Sequence, residues 1–162
     1  MTTLRATYDR LDHTLIHWMR TYGITLLRLA LAVTFIWFGA LKVLNVSPVA
    51  DLVAQTVYWV PAAFFVPFLG VWEIAVGLGL LFRLALRLTL LFFFMQMAGT
   101  FLVLVVHPGL SFQNGNPLLL TTLGEFVVKN LVLLTAGIVV GSTVQRESTT
   151  TGRVSATAER AA

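Results

Sequence analysis

Four stretches of about twenty mostly apolar residues, divided by short polar joints, leave this chain few ways to fold. A hydrocarbon layer about 30 Å thick takes about 20 helical residues at roughly 1.5 Å each. Within it every backbone N–H and C=O must bond inside the protein, so apolar runs of this length are expected to cross as helices. Composition agrees. Hydrophobic residues make up 57% of the 162, charged residues 11%, and the mean hydropathy is +0.86. A soluble domain carries about a quarter charged residues, and a disordered chain combines low hydrophobicity with high net charge. Both are excluded, and the length suits a single membrane-embedded bundle.

The spans are expected at about 24–46, 61–82, 84–106 and 118–141. The flank 1–23 repeats Leu4, Tyr8, Leu11, Leu15, Trp18 and Tyr22 at spacings of 4, 3, 4, 3 and 4. This amphipathic pattern predicts a cytoplasmic helix on the membrane surface. A cleaved leader does not fit, because the apolar run starts late, carries Arg28 and Lys42, and lacks a small-residue cleavage pattern. Between spans one and two, residues 49–54 suggest a short interfacial helix, with Tyr58 and Trp59 at the water boundary. Pro61 suits a first helical turn, and Pro67 is expected to kink the second span early. His107-Pro108-Gly109 ends the third span, and Asn114-Gly115 marks a turn after it. The fourth span has two candidate starts, Asn116-Pro117 and the capping-box pattern Thr122-Leu123-Gly124-Glu125. The Ser/Thr/Ala-rich tail 142–162 has no apolar pattern and is expected to be disordered.

Lys and Arg fall on alternate sides of the spans. Arg5, Arg10 and Arg20 precede the first span, Arg83 and Arg87 join the second and third, and Arg146, Arg153 and Arg160 follow the fourth. The other two joints, 47–60 and 107–116, carry neither residue. The positive-inside rule then places both termini in the cytoplasm.

The chemistry resides in polar residues within the spans. A charge at mid-membrane costs about 2.5 to 3.5 kcal/mol even on the lenient insertion scale. Such groups are expected to face the bundle interior. Their spacing allows it. Arg28, Ala32, Phe35, Gly39 and Lys42 form one stripe; Gly70, Glu73 and Gly77 share a face; Thr89, Gln96, Thr100, Val103 and His107 fall on one side; Glu125 and Lys129 form an i,i+4 pair beside Asn130. The small residues around Glu73 would let another helix come close. Glu73 and Gln96 lie near mid-span, and Arg28 is expected to reach toward Glu73. Lys42, His107, Glu125 and Lys129 are expected to cluster in the outer half. Arg28, Lys42 and Lys129 against Glu73 and Glu125 leave one positive charge over, which suits an anionic or carbonyl-bearing ligand. The same residues also read as structural glue, with Lys42 snorkelling and Glu125 satisfying Lys129.

Other chemistries are excluded or poorly supported. The chain has no cysteine, so disulfides, thiolate nucleophiles and Cys-ligated metals are excluded. Any redox role needs a bound cofactor or a partner. Asp9, His13 and His17 share a helix face, but solvated polarity explains them better than a metal site. No basic patch fits nucleic acid, and no Gly-rich phosphate loop or nucleophile elbow occurs.

Arg28, Phe38-Gly39-Ala40-Leu41-Lys42, Gly70-Val71-Trp72-Glu73-Ile74-Ala75-Val76-Gly77 and Glu125-Phe126-Val127-Val128-Lys129-Asn130 together resemble the DoxX-like family of small four-span membrane proteins, including its reactive-chlorine-resistance branch. The resemblance runs from about Leu26 to Gly141. It implies a multi-pass protein of the prokaryotic inner (plasma) membrane, all-α, with Arg28, Lys42, Glu73, Lys129 and Asn130 as polar core positions. Some members look like membrane subunits of thiosulfate:quinone oxidoreductase, and others partner redox-defence enzymes.

Two functions stay open. The first is a redox-linked subunit holding a quinone or small anionic species, with Glu73 exchanging a proton and Arg28, Lys42, Gln96, His107, Glu125, Lys129 and Asn130 as ligand-binding candidates. It would work with a soluble or membrane redox partner, and self-association is compatible with it. The second is a noncatalytic scaffold or small permease in the lipid bilayer. A headgroup pocket between Lys42, Glu73 and Lys129 would favour the first, and a tightly packed, fully paired interior the second.

Overall fold

The computed structural model describes residues 2–57 and 59–144, with side chains from residue 12 onward. Tyr58 and the tail from residue 145 lie outside the described residues. Among the described residues six α-helices follow in order: α1 (Thr2–Val43), α2 (Ala50–Thr56), α3 (Ala62–Phe82), α4 (Leu86–Val106), α5 (Pro108–Ser111) and α6 (Thr122–Gly141). Four helical stretches, Asp12–Val43 and the whole of α3, α4 and α6, are long and apolar enough to cross a membrane. The protein is an all-α, multi-pass bundle, as the apolar runs require. α1 continues without interruption from the amphipathic flank into the first span. α3 likewise runs through Pro67 unbroken.

Helix ends are set by local chemistry. Hydropathy carries the first span to residue 46, but α1 stops at Val43. Asn45 adopts a left-handed conformation (φ 56°), and the Val46 N–H returns to the Leu41 carbonyl at 3.0 Å. This is a Schellman-type stop, which Asn tolerates better than most side chains. The α3–α4 turn uses Arg83 (φ 58°) and Ala85 (φ 40°), and the Leu84 N–H bonds to the Gly79 carbonyl. Of the two candidate starts for the last span, the one at Thr122-Leu123-Gly124-Glu125 is where α6 begins, but the N-cap is Thr121, one residue before the pattern, and not Thr122. The Thr121 hydroxyl oxygen accepts the Gly124 N–H at 3.1 Å, and its hydroxyl donates to the Leu110 carbonyl at 2.6 Å. Asn116 instead forms a turn, accepting the Leu118 N–H at 3.0 Å. Residues 112 and 120 form a short antiparallel bridge beside it.

α1 packs most closely on α3. A methyl group on Gly39 would lie 2.5 Å from the Gly70 carbonyl oxygen, and one on Gly77 would lie 2.9 Å from the Ala32 carbonyl oxygen. Only glycine permits this approach, the small-residue device of membrane helix packing. It also fixes the vertical register. α1 ends beside Gly70, which is the ninth residue of α3. The space above the end of α1 is taken by the joint 44–49 and by α2, which rests against α3.

The interior divides in two. Near the α3–α4 turn, Leu31, Phe35, Val76, Leu80, Leu90, Phe93, Ala136 and Val140 form a dense core. Phe93 is completely buried, and its ring lies 5.0 Å from that of Phe35. Toward α2, the helices enclose a cavity.

Candidate functional site

α1, α3, α4 and α6 each give one face to this cavity of about 390 Å³, and α2 covers it. The register just described brings Lys42 within one helical turn of Glu73. Lys42 Nζ donates to Glu73 Oε1 at 2.9 Å and Oε2 at 2.6 Å, and Gln96 Nε2 donates to Oε1 at 2.8 Å. Lys42 and Glu73 are only 5% and 7% exposed. Three helices thus meet in one polar cluster. Both carboxylate oxygens accept an ammonium N–H, which offsets part of the desolvation that burial imposes on both ions.

Around that cluster the wall is apolar and aromatic: Phe35, Phe38, Phe65, Phe68, Trp72 and Phe126 line the cavity. Its other polar groups are mostly tied to their own helices. Thr34, Thr56 and Thr100 donate their hydroxyl hydrogens to the carbonyls of Ala30, Leu52 and Gln96. The Asn130 amide nitrogen donates to the Phe126 and Val127 carbonyls at 3.0 and 3.2 Å. These threonine oxygens and the Asn130 side-chain carbonyl retain acceptor capacity.

The other sequence candidates lie elsewhere. Arg28 does not reach Glu73. Its guanidinium donates to the carbonyl of Leu80 and, at 2.8 Å, to that of Leu81. It therefore satisfies carbonyls that the end of α3 leaves open, where a cation is favourable. Glu125 and Lys129 pair with each other at 3.4 Å, with side chains 56% and 75% exposed. They face away from the cavity, so the outer cluster of Lys42 with Lys129 does not assemble. His107 ends α4, and its backbone carbonyl accepts from Leu110 N, Ser111 N and Ser111 Oγ. His107 Nε2 is buried without a hydrogen-bond partner among the described residues, and the ring does not line the cavity. Lys42, Glu73 and Gln96 are brought together, and Asn130 lines the same cavity; Arg28, His107, Glu125 and Lys129 are not part of it.

Sequence reasoning missed most of the aromatic wall and the contribution of α2. One available signal was the spacing of Phe65, Phe68 and Trp72, which places all three on the face of α3 beside Glu73.

A sequence model of the DoxX family matches residues 23–108, more than half of the chain. The chain belongs to the DoxX family. No curated protein and no solved structure gives a match. The matched DoxX region holds Lys42, Glu73 and Gln96, and so covers the whole ionic cluster. Asn130 and the Glu125–Lys129 pair lie beyond it.

Proposed function

We propose that this DoxX protein is a redox-linked membrane subunit that holds a quinone headgroup in the cavity beside Lys42 and Glu73. The supporting observation is a buried ion pair on the wall of an open, aromatic-lined chamber. Structural charge pairs need no empty space next to them. A flat carbonyl-bearing ring suits the aromatic walls by stacking. Lys42 has three N–H donors, and the contacts to Glu73 use two, so one is left to polarise a carbonyl oxygen. Gln96 holds Glu73 in place and has a second amide hydrogen to offer. Glu73 is placed to give or take the proton that accompanies a change of redox state. A bound quinone supplies two-electron chemistry. The electrons come through a partner or a further bound cofactor, because the chain has no cysteine of its own.

The resemblance to the reactive-chlorine-resistance branch suits this reading. The alternation of Lys and Arg between joints supports an orientation with both termini cytoplasmic, and the resemblance supports the prokaryotic inner membrane; the flank 1–23 is then a cytoplasmic extension of α1, before a bundle over 24–141 and a tail over 142–162.

A noncatalytic scaffold or small permease is the second reading, favoured by the mutual satisfaction of Lys42 and Glu73. The double variant Lys42→Met/Glu73→Gln separates the two. It removes both charges while keeping side chains of similar size. In lipid nanodiscs, a benzoquinone probe should bind wild type and lose about tenfold in affinity on the double variant. Equal binding by the two proteins refutes the role assigned to the pair.

A further inference from the structure

The cavity is not closed all round, and the position of its opening bears on what reaches it. Along the half of the bundle near the α3–α4 turn, α3 and α4 are in contact. The rings of Trp72 and Phe92 lie 4.7 Å apart, and Gln96 bonds to Glu73. Beyond that level, Phe65, Phe68 and Leu69 of α3 face Gly99, Thr100 and Val103 of α4 across the chamber. Phe68 and Met95 line the cavity yet are 47% and 53% exposed. Gly99 is also exposed, and a Cβ built there would meet nothing within 4 Å. A cavity-lining residue with free space around it marks a gap in the wall.

This gap lies partway along two membrane-spanning helices, not at an end of the bundle. Its frame carries no charged side chain. The axial route is covered by Pro48, Leu52, Val53 and Val57, with Thr56 buried beneath. On the opposite side, between α1 and α6, Phe38 and Phe126 also line the chamber and are 40% and 43% exposed, but no glycine there leaves the wall without a side chain. A water-borne anion would have to leave water and cross hydrocarbon to use the gap, at the cost that excludes bare charges from lipid. A lipid-borne molecule faces no such cost.

We propose that the window between α3 and α4, framed by Phe68, Met95 and Gly99, admits a tailed amphiphile from the bilayer, with its head against Lys42–Glu73 and its hydrocarbon tail left in the window. The inference rests on the headgroup reading above and adds the class of ligand: a neutral ring bearing a long apolar chain, not a small soluble anion.

The test compares two probes on the full chain in nanodiscs: a decyl-substituted benzoquinone, and the same ring with methyl in place of decyl. Binding is read from quenching of intrinsic tryptophan emission, since Trp72 lines the cavity. Gly99→Phe should plug the window and lower affinity for the decyl probe about tenfold, while the methyl probe changes less than about twofold. Gly99→Leu supplies a second plug should the phenylalanine variant fold poorly. The port is refuted if both plugs leave decyl binding unchanged or weaken both probes equally. It is equally refuted if Thr34→Phe, on the α1 side, blocks the decyl probe and the Gly99 variants do not. If wild type binds neither probe, the headgroup reading itself fails and the port falls with it.

Discussion

The two halves of this bundle are made from the same four helices but solve different problems. In the half near the α3–α4 turn, Phe93, Leu80 and Val140 are fully buried, and a methyl group on Gly137 would collide with the Phe93 ring. In the half beneath α2, the same helices leave about 390 Å³ between them. Apolar side chains gain little from leaving lipid for protein, so close packing, not transfer from water, holds membrane helices together. The open half forgoes that packing. What it has instead is the Gly39–Gly70 contact between α1 and α3 and the Lys42–Glu73–Gln96 cluster. The dense half therefore serves as the anchor, and the open half as the part with room for a ligand.

The largest effect should come from splitting the ion pair. Lys42→Met leaves the Glu73 carboxylate buried without its cation, and such losses cost about 3 kcal/mol or more. The double variant Lys42→Met/Glu73→Gln should recover most of that stability, because no unpaired ion remains. Thermal unfolding in detergent checks both. A single variant as stable as wild type would mean that the open half does not depend on its charges.

Truncations should show the asymmetry next. Phe93→Ala removes a ring from the dense core and leaves a void. At about 24 cal/mol per Å³ of residual cavity, the cost should be about 2 kcal/mol. Phe68→Ala widens a space that is already open, and should cost less than about 1 kcal/mol. Equal costs would show that the two halves are packed alike.

Arg28 gives a smaller effect on the dense side. Arg28→Met leaves the Leu80 and Leu81 carbonyls without their donor. Losing charge-assisted bonds of this kind should cost about 1 to 2 kcal/mol, read as a lower unfolding temperature, while probe binding stays at the wild-type level. Loss of binding with unchanged stability would return Arg28 to the site.

These residues also show how far the sequence could be read. The helices were legible because lipid forces apolar length on each span. The polar stripes were legible because helical spacing places Gly70, Glu73 and Gly77, or Gln96, Thr100 and Val103, on one face whatever surrounds them. Vertical offset between helices was not legible. Hydropathy runs the first span to residue 46, level with the start of the second, and so puts Arg28 nearer Glu73 than Lys42. The structure stops α1 at Val43, before the left-handed Asn45, and seats Gly39 on Gly70, which lowers Lys42 to Glu73 and places Arg28 at Leu80. That offset depends on two glycines from distant parts of the chain meeting, and no single span encodes it. Rotation of α6 was hidden for a similar reason. The i,i+4 spacing of Glu125 and Lys129 allows either a buried or an outward-facing pair. Gly124 packed against Ser111, with Val127 buried, turns the pair outward.

That rotation supports the smallest predicted effect and the sharpest contrast between two lysines. Lys42 is 5% exposed, and its ammonium bonds both carboxylate oxygens of Glu73. Lys129 touches Glu125 through one contact of 3.4 Å, and three quarters of its side chain is exposed. Exposed i,i+4 pairs contribute about 0.3 to 0.5 kcal/mol, because solvent screens the attraction and two long side chains lose freedom. Lys129→Met should therefore shift stability by less than about 0.5 kcal/mol, and benzoquinone affinity should not move. Glu125→Gln should behave the same way, and the two changes together should cost no more than either alone, since they remove one weak contact. The measurement is a set of unfolding curves and probe titrations on the three variants beside wild type. Loss of binding in Lys129→Met with normal unfolding would place Lys129 in the ligand's path and break the division between a buried working pair and an exposed idle one.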